Sequence, residues 1–62
     1  MLKKVIELSP GDRIEVEGNI VTVFDVRKST QNFIKNYSVT YIVDRISGII
    51  FYSEHDSVFV YE

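Results

Sequence analysis

From Arg13 to Glu17 charged and apolar residues alternate, so a strand there turns Ile14 and Val16 to one face and Arg13, Glu15 and Glu17 to the other. The corner Leu8-Ser9-Pro10-Gly11-Asp12 precedes it, where proline fixes φ and glycine permits a positive φ. Gly18-Asn19 follows as a hairpin turn, glycine at its first central position suiting a type II′ geometry. With those two residues as the loop, Val16 faces Val21 and Ile14 faces Val23. This pairing is preferred over a Glu17-Gly18 loop, which sets Val16 against Asn19. The second strand spans residues 20–26, with Ile20, Phe24 and Val26 on its other face.

Residues 27–36 lack sustained alternation and read as a connector. Strand character returns from Tyr37 to Asp44, rich in β-branched and aromatic residues. Arg45-Ile46-Ser47-Gly48 reads as a hairpin loop leading into Ile49-Ile50-Phe51-Tyr52. All four of those residues are apolar or aromatic, which leaves the register of the 41–52 hairpin open. A polar turn, Ser53-Glu54-His55-Asp56-Ser57, then precedes a last strand, Val58 to Tyr61.

The length of 62 residues allows one domain, with its core over residues 8–61. A chain this short buries only about 60% of the surface its unfolded form exposes. Hydrophobic content of 45% argues for a packed core and against disorder. There is no cysteine, hence no disulfide framework, and small domains without such staples often gain margin by oligomerising. Lys3 and Lys4 interrupt the N-terminal apolar residues, so no export signal is expected and the location expected is cytoplasmic. The uncharged run Ile46 to Ser53, which no other run exceeds, falls far short of the roughly 20 residues a membrane helix needs. Asn36-Tyr37-Ser38 fits the glycosylation pattern, which matters only in a secreted chain.

Together these elements predict an all-β protein, a small five-stranded SH3-like barrel. Pro10-Gly11-Asp12-Arg13-Ile14-Glu15-Val16, Tyr41-Ile42-Val43-Asp44, Gly48 and Glu54-His55-Asp56-Ser57-Val58 resemble the pattern of small bacterial and bacteriophage SH3-like barrel proteins. In those a P-G-D turn opens the first strand and a glutamate-containing turn precedes the last. The resemblance spans roughly residues 8–61 and implies fold rather than activity. The chain lacks the tryptophan and acidic-aromatic motif of polyproline-binding SH3 domains, and the further glycines of the KOW type.

Candidate chemistry is sparse. His55 lies between Glu54 and Asp56, whose charges favour its protonated form, but one histidine without cysteine does not assemble a usual zinc set. The simpler reading is an exposed turn residue. No nucleophile elbow, phosphate cradle or dinucleotide fingerprint is present, so neither an enzyme nor a cofactor is expected.

Residues 26–37 hold Arg27, Lys28 and Lys35 with no acid, a local charge of about +3 within a chain of net charge −2. Phe33 and Tyr37 lie among them, and cations with stacking rings suit a single-stranded nucleic acid. The simpler alternative is a solvated loop anchored by Phe33 and Ile34, which a pI near 5.2 favours. Apolar residues also exceed what a tiny barrel interior needs, and Tyr41, Tyr52 and Tyr61 are suited to a protein interface. The final strand, ending Tyr61-Glu62, offers an edge for strand addition or homodimer pairing. The function expected is a non-catalytic protein-binding module, a bacterial or phage accessory or regulatory protein. Its partner would be another protein or a second copy, with no membrane partner. The alternative is a nucleic-acid-binding module using the basic segment 27–37.

Overall fold

The computed structural model describes residues 1–29 and 34–61. Six strands form a single antiparallel sheet: β1 (Leu2–Lys4), β2 (Arg13–Val16), β3 (Asn19–Lys28), β4 (Tyr37–Val43), β5 (Ile46–Tyr52) and β6 (Ser57–Tyr61), in the spatial order β1-β6-β2-β3-β4-β5. The class is all-β, as expected, but the described residues form six strands rather than five, and the sheet is open rather than a closed barrel. The additional strand is β1, which zips onto β6 with Leu2 opposite Phe59 and Lys4 opposite Ser57. Among the described residues no helix is long and apolar enough to cross a membrane.

The sheet must roll. Laid flat, β6 and β5 would stand about 19 Å apart, four inter-strand spacings. The link between them, residues 53–56, is folded into a turn by the Asp56 N–H donating to the Ser53 carbonyl at 3.0 Å, so it reaches no more than about 14 Å. Rolling gives the sheet a concave side that encloses Ile14, Val16, Val21, Val23, Val39 and Val60. Val5 and Leu8 join them from a 3₁₀ turn, Val5–Glu7, and Val5 is wholly buried. The N-terminal stretch thus contributes both a strand and a core residue.

Two hairpins turn through positive φ. Between β2 and β3 the loop is Glu17-Gly18 (φ 50° and 83°), which pairs Ile14 with Val21 and Val16 with Asn19 and overturns the Gly18-Asn19 loop expected from sequence. Both registers keep the same residues on the same face, because the shift displaces the partner strand by two positions, so hydrophobic pattern does not separate them. The turn decides: positive φ at both central residues is the type I′ arrangement that matches strand twist. Between β4 and β5 the loop is Asp44-Arg45 (φ 48° and 66°), so Ile46 and Gly48 belong to the strand rather than to a loop. This fixes the register left open by sequence, with Tyr37 opposite Tyr52, Val39 opposite Ile50, and Tyr41 opposite Gly48.

A β-bulge at Phe24 changes the outer face. Val23 pairs with Tyr41 and Asp25 with Thr40, leaving Phe24 as the extra residue. Alternation is reset there, so Val26 packs against the core while Ile20 and Phe24 stay outside, correcting the face expected to carry all three. β3 also runs on to Lys28, beyond the Val26 expected.

Two matching turns frame the fold. In one, the Ser9 N–H donates to Asp12 Oδ2 at 2.9 Å and the Asp12 N–H returns to the Ser9 carbonyl at 3.1 Å. In the other, the Ser53 N–H donates to Asp56 Oδ2 at 2.8 Å, beside the return bond already described. Serine followed three residues later by aspartate thus writes the same locked corner before β2 and before β6.

Candidate functional site

The residues singled out by sequence separate into three places. Arg27 and Lys28 are the last residues of β3, paired with Ser38 and Tyr37 of β4, so they belong to a ladder rather than to a free loop. The Arg27 guanidinium lies 2.6 Å from Asp25 Oδ2, which offsets part of the local positive charge. Lys35 is exposed ahead of β4, and Phe33 lies outside the described residues.

Tyr37, Tyr41 and Tyr52 are brought together on the concave side of β4 and β5, half-buried against the core. Tyr41 lies across Gly48: a Cβ at that glycine would sit 2.5 Å from the ring Cζ, so the absence of a side chain at 48 is what lets the ring lie flat on the neighbouring strand. Burial, the Asp56 carboxylate and Tyr41 together push the Tyr52 phenol up. These rings therefore line the rim of the core. Tyr61 is apart from them, on the convex side, where its hydroxyl donates to Glu15 Oε1 at 3.3 Å and its ring meets Phe59 edge-on at 5.0 Å. Partial desolvation and the Glu15 charge raise its phenol too.

Of the turn residues considered for chemistry, His55 projects into solvent with Glu54 at 3.8 Å, and Asp56 is committed to the corner. The Glu54 N–H is held by Asn36 Oδ1 at 3.0 Å, which ties this turn to the start of β4. Among the described residues no three His, Cys, Asp or Glu side chains converge as a metal would require.

The final strand is not an edge, as sequence led one to expect: β6 is covered by β1 on one side and β2 on the other. The edge on the far side is β5, and its composition sets it apart. Ile46-Ser47-Gly48-Ile49-Ile50-Phe51-Tyr52 carries no charge and no proline, and among the described residues no strand pairs with its outer side. Ile46, Ile49 and Phe51 are 68%, 54% and 47% exposed. On the convex side Phe24 and Ile42, both exposed, continue this apolar surface onto β3 and β4. The sequence showed this run as uncharged, but the run 36–43 that holds β4 is just as long and equally uncharged. What sequence alone lacked was the strand order that puts the β5 run at the border. No family model, no curated protein and no solved structure matches the chain.

Proposed function

We propose that the protein is a non-catalytic protein-binding module that accepts an extended segment of a partner protein as an added strand on β5. Its scaffold on this reading is an SH3-like unit of β2 to β6, supported by their order β6-β2-β3-β4-β5 and by the short link returning β5 to β6. The observation that carries the reading is the seven-residue uncharged border at β5. A sheet edge offers a row of unpaired N–H and C=O groups, and natural edges are normally blunted by charge, proline or shortness. A strand added there gains main-chain hydrogen bonds, with alternate side chains supplying selectivity.

Recovery of partners from a lysate by the tagged protein tests this. Ile49→Lys puts a charge on the border and Ser47→Pro removes a backbone donor, and both should abolish recovery while circular dichroism stays unchanged. Identical partners recovered by all three proteins would refute the reading. Oligonucleotide binding that weakens steeply with salt and is reduced by Lys28→Ala would instead move the function to the basic segment.

A further inference from the structure

We infer that the strand taken up by β5 is β5 of a second copy, paired antiparallel about a two-fold axis through Ile49, so that two six-stranded sheets join into one. This rests on the strand-accepting reading of β5 above and names its partner.

The register follows from the residues. A two-fold axis normal to the sheet pairs residues of the same face, keeping concave side with concave side. Centred on Ile49, it sets Ile49 against its own copy, Gly48 against Ile50, Ser47 against Phe51 and Ile46 against Tyr52. All seven uncharged residues of β5 then meet uncharged residues, and the smallest, Gly48 and Ser47, meet large ones. Within the molecule the same two already do so, Gly48 facing Tyr41 and Ser47 facing Ile42. No neighbouring register does as well. With the axis at Gly48, Arg45 faces Phe51 and Asp44 faces Tyr52; with the axis at Ile50, Glu54 faces Ile46. Only with Ile49 at the centre are the charges confined to the turns. There Arg45 of one copy faces Ser53 of the other and Asp44 faces Glu54, so the opposed acids stand beyond the ladder in the exposed turns, with Arg45 and His55 as their neighbours.

Closure points to two copies rather than a filament. The opposite border, β1, is three residues long and carries Lys3 and Lys4, so it offers no comparable edge for a third copy. An isologous pairing through β5 alone uses that surface up. A chain of 62 residues without a disulfide also has a thin margin of its own, which joining two sheets would widen.

The chain has no cysteine, so Ile49→Cys gives a protein whose only disulfide is between copies. The expected result is a covalent dimer on mild oxidation of Ile49→Cys, and only monomer from Ile20→Cys, which is also exposed but away from β5. Sedimentation should show a dimer for the unmodified chain. Ile49→Lys, which sets two lysines face to face on the axis, should raise its dissociation constant at least about tenfold. A monomer at every concentration overturns the proposal, as does a dimer indifferent to Ile49→Lys or a cross-link formed equally at residue 20. A monomer that still recovers a partner through β5 would remove the second copy while leaving the strand-accepting reading standing. Loss of both would remove the two together.

Discussion

At one border of the sheet β1 spans three residues and carries Lys3 and Lys4; at the other, β5 spans seven and carries no charge. The two borders differ in anchoring as well. β1 leads directly into the buried Val5, whose N–H donates to the Asp56 carbonyl at 3.0 Å, and Lys3 reaches Asp12 of the corner before β2 at 3.1 Å. Beyond the β4 ladder, β5 is held by Ile50 and Tyr52 packing against the core from one face only. Natural sheet edges are normally blunted, and the contrast separates a border that is short, charged and anchored from one that has none of these.

The largest effect should come from loosening the anchored border. Val5→Ala removes two methylene equivalents from a site with no exposure and should cost about 2 kcal/mol in denaturant unfolding, with β1 amides losing protection. A loss below about 0.5 kcal/mol would mean that β1 is not pinned through Val5. Removing the guard instead, with Lys3→Ile and Lys4→Ile together, should cost about 1 kcal/mol through the lost Asp12 pair and create a second adhesive border. Sedimentation should then show species larger than the unmodified chain forms, whereas an unchanged profile would show that lysine is not what blunts β1.

On the β5 side, Gly48→Ala forces the Tyr41 ring aside and should cost about 1 kcal/mol, with large chemical-shift changes at Tyr41. Unchanged Tyr41 resonances would place the ring elsewhere. Ile49→Lys, at an exposed position, should alter intramolecular stability by less than about 0.5 kcal/mol, so its effect on association is separable from folding.

The smallest effect is in acid. The Ser9 N–H, and secondarily Lys3, hold the Asp12 carboxyl below its ordinary value of 3.8, against an opposing contribution from partial burial. A carboxyl whose folded pKa lies below its unfolded one adds stability that is full above the unfolded value and fades as pH falls through the folded one. The unmodified chain should therefore lose stability below about pH 4 more steeply than Asp12→Asn. Parallel pH profiles for the two would contradict this assignment.

Much of this architecture was legible in the residues. The alternation of Arg13–Val16 gives β2, the Pro10-Gly11-Asp12 corner is where it was expected, and the β-branched Tyr37–Val43 segment is a strand. What the pattern did not carry was whatever depends on a two-residue shift or on long-range pairing. Glu17-Gly18 and Gly18-Asn19 loops bury the same faces, so only backbone dihedrals distinguish them. The bulge at Phe24 inverts alternation with no local residue to announce it. Leu2–Lys4 becomes a strand only because β6 lies beside it. The candidate site was least legible, since the half-buried packing of Tyr41 and Tyr52 against the core and the place of β5 at the border both depend on long-range pairing.

The central claim is that β5 is an edge completed by its own copy. Amide hydrogen exchange along Ile46–Tyr52 at rising protein concentration tests it most directly. In antiparallel pairing alternate N–H groups point to opposite sides, so those bonded to β4 should be protected at any concentration. The outward alternate set should exchange freely in dilute solution and become protected as the concentration rises. Outward amides that exchange freely at every concentration, with the inward set protected throughout, would contradict it.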